Sequence, residues 1–297
     1  MGFSKGRSGS SPPIDRLLGR TRGFKPRFRY NLIVIDIHTH ILAGLDDGPQ
    51  TWEESLEMCR IALRDEVRTM VATPHITPVV YENRTDTIRP KVETLRILLE
   101  EQDIALDIRM GSEVWVDFDL LSEVGKGTIP LPGAGGRMLL LHFPFQLIPP
   151  NSQQVIINLK VKGITPIITH PERHLRIQED PNLLYKLISV GALSQITAMS
   201  LTGGFGEKAR RSALHLLQLN LAHIIASDAH SARGRVPVLS AGVKAAADVV
   251  GEARAYAMVT TIPEALLDGE EPDIPLPKPP EPSPGRLSRI FSWGAGR

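Results

Sequence analysis

The sequence predicts an α/β protein in which parallel strands are joined by crossover helices. Short apolar runs rich in β-branched residues recur along the chain, and segments with the apolar spacing of amphipathic helices lie between them. Such regular alternation is typical of an open doubly wound sheet or of a closed barrel. Seven strands are predicted, and that number favours a TIM-like (β/α)7 barrel.

The predicted elements follow one another in a simple order. The strands span Leu32–Ile37, Thr69–Thr73, Ala105–Gly111, Met138–Phe143, Ile164–Thr169, Ser194–Thr197 and His223–Ser227. The clearest helix begins after Thr51, where Thr-Trp-Glu-Glu forms a capping box ahead of an apolar face that includes Leu56, Cys59 and Leu63. The other predicted helices span 85–101, 152–162, 181–190, 207–219 and 236–250.

Charge and composition divide the 297 residues into three parts. Residues 1–30 carry eight Lys or Arg and one acid among many Gly, Ser and Pro, which predicts a disordered basic arm. Residues 31–268 contain all the predicted elements and form the folded domain. Residues 269–297 begin with a proline-dense linker, expected to be extended and unpacked, and end in a basic aromatic tail.

Polar residues stand where the predicted strands end. Six apolar runs finish with a histidine or a carboxylate, in the segments IDIHTH, VATPH, RMGSE, LLLHF, IITHPER and IIASDAH. The C-terminal strand ends of a parallel barrel converge on one mouth. Residues two apart share a strand face, as His38 and His40 do, and as Asp228 and His230 do. We therefore expect one cleft to contain His38, His40, His75, Glu113, His142, His170, Asp228 and His230.

These imidazoles and carboxylates, without thiolates, are typical of a catalytic site for Mn, Fe or Zn. The set holds more ligands than one ion needs, so we expect two or three ions bridged by a carboxylate such as Glu113. Such clusters hydrolyse phosphate esters by polarising the ester and generating hydroxide. Arg173 and Arg235 lie just beyond ligand-bearing strand ends, and a guanidinium there can hold phosphate oxygens.

The motifs DIHTHILAGLDDG, ATPH, GSEVW, ITHPER and ASDAH, in this order across residues 35–267, resemble the polymerase and histidinol phosphatase (PHP) superfamily. The DDG, GSE and THPER segments are most similar to the bacterial manganese-dependent tyrosine-protein phosphatases of capsule and exopolysaccharide operons. The resemblance implies a distorted seven-stranded barrel of the PHP type. It also implies a cytoplasmic enzyme, with Mn²⁺ as cofactor, that removes phosphate from the tyrosine-rich tail of a partner kinase.

The resemblance also assigns roles by position. Asp47, rather than Asp46, is the acid that aligns with a catalytic ligand, and Arg173 and Arg235 match residues near the phosphate. Asp46 is left either to orient the loop or to be solvated. The positions that match metal ligands are His38, His40, Asp47, His75, Glu113, His170, Asp228 and His230.

One position departs from the family pattern. These phosphatases usually end the fourth strand with a glutamate, in a pattern like LxEF, whereas this chain reads LLLHFPF and places His142 there. Imidazole still ligates metals but brings no negative charge. Two interpretations stay open, namely that His142 is a ligand or that one metal site is weakened or lost.

The remaining histidines and the cysteine carry less chemistry. We interpret His215 and His223 as structural, whereas His174 is placed to approach the site. Cys59 is the single cysteine, and the sixth residue after it is Asp65 rather than arginine, which excludes a phosphatase with a cysteine nucleophile. Cys59 is interpreted as a small apolar core residue.

Other functions are left open by the residues themselves. A small-molecule phosphatase of the histidinol-phosphate type needs a deep pocket built by long loops, and no obvious insertion is present. A PHP nuclease is suggested only by the basic arm, so no nucleic-acid partner is expected. A degenerate barrel serving as a scaffold, and an oligomer, both stay open. No apolar run is long enough for a membrane span and no secretory signal is evident, which predicts a cytoplasmic protein.

Overall fold

The computed structural model describes residues 32–116, 120–133 and 135–281. The predicted basic arm and the end of the C-terminal tail therefore lie outside the described residues. The ten strand segments of the described chain are β1 Val34–Thr39, β2 Val67–Ala72, β3 His75–Thr77, β4 Tyr81–Glu82, β5 Asp107–Met110, β6 Glu113–Trp115, β7 Met138–His142, β8 Thr165–Thr169, β9 Leu193–Thr197 and β10 Ile224–Ala226.

The strands form two sheets that are rich in parallel pairs. One sheet has the order β1-β2-β5, and the other has the order β10-β9-β8-β7-β6-β3-β4. Every pairing between these strands is parallel except that of β3 with β4. A single parallel bridge between Thr39 and Ala229 brings the end of β1 beside the chain that follows β10.

Helices occupy most of the connections between strands. Their bounds are α1 Trp52–Arg64, α2 Thr85–Glu101, α3 Leu120–Lys126, α4 Ser152–Val161, α5 Leu175–Glu179, α6 Asn182–Ser189, α7 Ala198–Leu201, α8 Glu207–Gln218, α9 Ser240–Val250, α10 Glu252–Ala257 and α11 Thr261–Asp268. Thr51 caps α1, because its side chain accepts a hydrogen bond from the Glu54 amide. This is one half of the predicted capping box; the Glu54 carboxylate instead accepts a hydrogen bond from the Ala232 amide.

Six of these helices match the predicted ones, and α9 shows a difference at its start. It was predicted to begin at Val236, but it begins at Ser240. The carboxylate of Asp65 accepts hydrogen bonds from the amides of Leu239 and Ser240, at 2.6 and 2.9 Å, and so satisfies donors that open the helix.

The predicted strands Thr69–Thr73 and Ala105–Gly111 are found as β2 and β5, and each is followed by a short strand that was not predicted. The chain leaves the first sheet after Ala72 and enters the second at His75, because Pro74 has no amide hydrogen for the ladder. A second break follows Met110, where Gly111 packs so closely on Val71 that a Cβ would lie 2.8 Å from that side chain. His75 and Glu113 therefore begin short strands, β3 and β6, instead of ending long ones.

The core lies between the sheets and the helices and includes Cys59. This residue is fully buried on α1, and burial raises the pKa of its thiol to about 12. The interpretation of Cys59 as an apolar core residue is therefore confirmed.

The proline-dense segment 269–281, which we call the C-terminal strap, contains no helix or strand. The Lys278 amide donates to the Leu219 carbonyl at 2.8 Å, and the Asn220 side chain donates to the Leu276 carbonyl at 2.8 Å. Lys160 pairs with Glu271 at 2.9 Å. The prediction that this segment is unpacked is therefore wrong for residues 269–281. No helix in the described part of the chain has the length and apolarity needed to cross a membrane.

Candidate metal centre

The structure brings the predicted ligands together at one end of the strands. His38 lies near the end of β1 and His40 directly follows that strand. His75 and Glu113 are the first residues of β3 and β6, and His142 is the last residue of β7. The others lie on the segments that follow a strand or in a nearby loop, and they are Asp47, His170, Asp228 and His230.

Glu113 stands at the centre of this cluster and is fully buried. Its carboxylate oxygens lie 2.8 Å from His75 Nδ1 and 2.9 Å from His170 Nε2. The same carboxylate lies 3.3 Å from His142 Nδ1 and 3.6 Å from His38 Nε2. Glu113 thus lies within 3.6 Å of four of the predicted histidine ligands.

The ligand atoms fall into three overlapping groups, within each of which they lie no more than 4.8 Å apart. These groups are His40, Asp47, His75 and His230; His38, His40 and Glu113; and His75, Glu113 and His142. Asp228 adjoins them, since its Oδ1 lies 3.5 Å from His38 Nε2 and 3.7 Å from His40 Nε2.

Three buried polar atoms in this cluster make no hydrogen bond of good geometry, although each lies near an ionisable neighbour. They are Glu113 Oε2, His142 Nδ1 and His230 Nε2, which lie 2.8, 3.3 and 3.3 Å from His75, Glu113 and Asp47. Their bonding capacity is not fully used within the protein, so a bound cation would satisfy it. Imidazole nitrogens and carboxylate oxygens in this arrangement fit divalent ions such as Mn²⁺, Fe²⁺ or Zn²⁺.

Asp46 takes the first of the two roles that the sequence left open for it, and it also contacts His40. It is 8% exposed, and its carboxylate accepts a hydrogen bond from His40 Nδ1 at 2.6 Å, which leaves Nε2 of that ring for a metal. The amides of Gly48 and His75 also donate to it, each at 3.0 Å. Asp46 therefore orients the loop and the His40 ring, and it is not solvated.

Gln195 orients His38 in a similar way. Its Oε1 accepts a hydrogen bond from His38 Nδ1 at 2.9 Å, so Nε2 of that ring faces the cluster. The Nε2 atoms of His38 and His40 lie 3.2 Å apart and point into the same space. A fully buried glutamine on β9 carries no chemical motif, which is why sequence reasoning missed it.

Two candidate ligands have left-handed backbone conformations that side chains other than glycine rarely adopt. The φ angles of His170 and Asp228 are 35° and 52°. Such strain costs of order 1–3 kcal/mol per residue and tends to occur at functional sites. Here it turns both side chains into the cluster directly after β8 and β10.

Burial and the carboxylates shift the pKa values in opposite directions. Burial alone would lower the pKa values of His38 and His75, but Glu113 with Asp228 raises the first to about 9, and Asp47 with Glu113 raises the second to about 10. Burial lowers the pKa of His40 to about 4.

The carboxylates stay ionised despite their burial. Burial would raise their pKa values, but neighbouring histidines hold those of Glu113 and Asp47 well below the usual range, and His38 with Arg235 does the same for Asp228. The cluster thus presents negative oxygens toward the space between the imidazoles.

Arg173 and Arg235 lie beside the cluster and share one acceptor. Arg173 Nη1 donates to Asp228 Oδ2 at 2.7 Å, and Arg235 Nη2 donates to the same oxygen. Both guanidiniums remain partly exposed, at 18% and 26%. Their free N–H groups can therefore meet an anion that enters the mouth.

Comparison with known proteins shows the family. Residues 34–268 match the family model described as capsular polysaccharide synthesis, CpsB/CapC. The chain belongs to this family. Every candidate ligand and both arginines of this CpsB/CapC chain lie within the matched residues, whereas the C-terminal strap lies outside them.

Curated relatives of this CpsB/CapC chain carry one name. The tyrosine-protein phosphatase YwqE of Bacillus subtilis (strain 168) is 39% identical over 202 residues, which cover 68% of this chain and 79% of the relative. The tyrosine-protein phosphatase CpsB of Streptococcus pneumoniae is 29% identical over 239 residues, which cover 79% of this chain and 98% of the relative.

A solved structure resembles the whole domain. It comes from a study of YwqE from Bacillus subtilis and CpsB from Streptococcus pneumoniae, described as unique metal-dependent tyrosine phosphatases. The similarity has a TM-score of 0.79 and 34% identity, and it covers 84% of this chain and 100% of the other.

His142, the position that departs from the family pattern, faces the cluster. Its ring is 12% exposed, stacks on Trp115 with 5.2 Å between centroids, and places Nδ1 near Glu113. The ring is therefore held in a position from which it can ligate an ion.

The three other histidines lie outside the cluster. His174 is buried and accepts a hydrogen bond from the Arg176 amide at 3.2 Å, so it caps α5. His223 Nδ1 accepts from the Ser194 amide at 3.1 Å, as expected for a structural residue. His215 is an exposed residue of α8.

Proposed function

We propose that this protein is a metal-dependent protein-tyrosine phosphatase that acts on a cognate bacterial tyrosine kinase and regulates capsule or exopolysaccharide synthesis. One observation carries the proposal, namely that two partly exposed arginines adjoin a buried cluster of imidazoles and carboxylates. The names of the CpsB/CapC relatives support the substrate class.

The three donor groups would hold two or three Mn²⁺ ions, and Fe or Zn ions suit the same donors. We assign as ligands His38, His40, Asp47, His75, Glu113, His142, His170, Asp228 and His230. Bound ions of this kind polarise a phosphoryl group and lower the pKa of water. Asp46 and Gln195, which contact the Nδ1 atoms of His40 and His38, would leave the Nε2 atoms of both rings free to bind the ions.

Arg173 and Arg235 would bind the phosphate oxygens. A phosphate dianion competes with Asp228 for their N–H groups, and charge-assisted bonds to phosphate are strong. Asp47 is half exposed and ionised at the mouth, where it would hold an ion and orient the reacting water. The departing tyrosinate has a parent pKa near 10, so no strong general acid is required.

We also propose that the two sheets complete a distorted seven-stranded barrel of the PHP type. In this view β2 continues into β3 and β5 into β6, so each pair counts as one barrel strand. The bridge between Thr39 and Ala229 supports closure beside β10.

The proposed kinase partner implies a cytoplasmic location and a phosphotyrosine tail as substrate. The sequence after residue 30 has 26 basic and 32 acidic residues, which does not favour a nucleic-acid partner. The oligomeric state is left open by the proposal.

A panel of four substrates tests the function. The full chain with added manganese is assayed on a phosphotyrosine peptide, para-nitrophenyl phosphate, histidinol phosphate and single-stranded DNA. We expect the two aryl phosphates to be hydrolysed fastest. Preference for histidinol phosphate or DNA would indicate one of the rival PHP activities, and no turnover of any substrate would favour the scaffold.

A further inference from the structure

Phe205 occupies an unusual loop between α7 and α8. The loop reads Thr-Gly-Gly-Phe-Gly, and Gly203 and Gly206 have φ angles of 88° and 87°. The Gly204 amide donates to the Met199 carbonyl at 2.9 Å, and a Cβ on Gly204 would lie 2.4 Å from the Met199 side chain. The loop is thus tight and depends on glycine.

The contacts of Phe205 are with the mouth of the site. The Arg173 guanidinium carbon lies 4.2 Å from the centroid of its ring, and that of Arg235 lies 5.6 Å away. Phe205 is not among the partly buried apolar residues of the described chain that pack on the core. Core stability therefore does not explain this phenylalanine.

Phe145 approaches the same arginine from the segment after β7. Its centroid lies 5.2 Å from the Arg173 guanidinium carbon and 5.6 Å from the ring centroids of both His142 and His170. The side chain is 36% exposed. It therefore lies between the phosphate-binding arginine, the metal cluster and solvent.

We propose that Phe145 and Phe205, which we call the aromatic pair, bind the aryl ring of the substrate and select aryl over alkyl phosphate esters. This inference rests on the proposed phosphatase function and names the residues that recognise the tyrosine ring. An aromatic face over a guanidinium leaves the N–H edges of the arginine available to phosphate oxygens. The ester group attached to that phosphate must then pass the aromatic pair on its way to solvent.

Aryl and alkyl groups would differ in what they gain at this place. A phenyl ring packs on other rings with a preference worth about 0.5–1.5 kcal/mol beyond the burial of area, and a serine or methyl group gains no such contact. We therefore expect each ring of the aromatic pair to improve binding of an aryl ligand by about two- to tenfold, by conversion of that preference.

Binding of phosphonates tests the proposal without turnover. Calorimetry on the manganese-loaded full chain compares phenylphosphonate with methylphosphonate, which present the same charged head with and without a ring. We expect the wild type to prefer phenylphosphonate, and Phe205→Leu and Phe145→Leu each to reduce that preference at least about twofold. The conservative variant Phe205→Tyr should retain it.

Leu147→Ala provides the matched control, because Leu147 is an exposed apolar residue in the same segment as Phe145. Its preference should equal that of the wild type. If Phe205→Leu weakened the binding of both phosphonates by the same factor, Phe205 would only position the arginines and the proposal would be overturned. An affinity unchanged for both ligands would overturn it as well. Failure of the phosphatase function appears separately, as a wild type that binds both phosphonates but hydrolyses no phosphotyrosine peptide.

Discussion

Arg173 is the side chain that would join the metal cluster to the substrate in the proposed function. It donates to Asp228 at 2.7 Å and lies against two phenylalanine rings. These contacts hold the guanidinium at the mouth of the site. A charged group that is already in place in this way can stabilise charge that develops during the reaction.

Replacing Arg173 should slow the reaction strongly. We expect Arg173→Ala to lower kcat/KM for a phosphotyrosine peptide by about a hundredfold, on the order of 3 kcal/mol of transition-state stabilisation. Arg176→Ala is the control, since Arg176 is an exposed arginine paired only with Glu179 in the described structure. A loss below about threefold in Arg173→Ala would remove that residue from the site.

His142 is the residue at which the proposed number of ions can be tested. If His142 ligates through its imidazole, the His142→Ala variant should bind fewer ions than the wild type. Its thermal unfolding midpoint should stay close to that of the wild type. His142→Glu should bind them more tightly at mildly acidic pH, because a carboxylate loses its proton at lower pH than an imidazole does. Elemental analysis counts the metal, and His215→Ala serves as control. An unchanged count in His142→Ala would withdraw His142 from the ligand set.

Metal binding should release protons. In the metal-free protein the pKa values of His38 and His75 are raised to about 9 and 10, so both rings are protonated at pH 7.5. A ligating nitrogen must lose its proton, so metal affinity should rise with pH until it passes these pKa values and fall as pH drops. Calorimetry of manganese binding in buffers of different ionisation enthalpy should show release of about two protons. Absence of proton release would contradict this assignment.

The loop that carries Asp46 and Asp47 packs its backbone closely against the end of β1. A Cβ on Gly48 would lie 2.6 Å from the His40 carbonyl oxygen, so the third residue of the DDG motif must be glycine for this loop to close on β1. Asp46 then contacts Nδ1 of His40, whereas Asp47 lies at the mouth of the site between His75 and His230. Two adjacent acids thereby have different tasks.

The C-terminal strap is an element that the family match does not include. A chain ending at Asp268 should unfold at a temperature roughly 5 °C lower than a chain ending at Glu281, because it loses the hydrogen bonds from Lys278 to Leu219 and from Asn220 to Leu276. Differential scanning calorimetry of the two chains checks this. Equal midpoints would show that the contacts of the strap add no stability.

Long periodic elements could be predicted and short ones could not. Helices α1, α2 and α8 have enough turns for an apolar face to be evident, whereas β3 and β6 have three residues each and carry no period. The ligands were still found, because His75 and Glu113 follow apolar runs whichever strand they belong to. Asp46 could not be assigned, since a carboxylate in a loop has the same sequence appearance whether it is solvated or buried under a histidine.

At the scale of the whole molecule, activity should depend on metal and be independent of the thiol. We expect a chelator to abolish hydrolysis of the phosphotyrosine peptide and manganese to restore it. Treatment with iodoacetamide should leave the rate unchanged, because Cys59 is buried and the pKa of its thiol is raised to about 12. Full activity of metal-free protein would refute the proposed mechanism.

The meeting of β1 with the segment after β10 has a further consequence for folding. Ser227 donates to Asp36 at 3.0 Å across 191 residues of sequence, and the bridge between Thr39 and Ala229 lies beside it. An ion shared by His38 and Asp228 would act as a reversible crosslink between these distant parts of the chain. Closing a loop of such length by a crosslink removes a large conformational entropy from the unfolded state, worth about 5 kcal/mol by the estimate used for disulfides. A metal ion bound for catalysis would then also stabilise the contact between the first strand and the last.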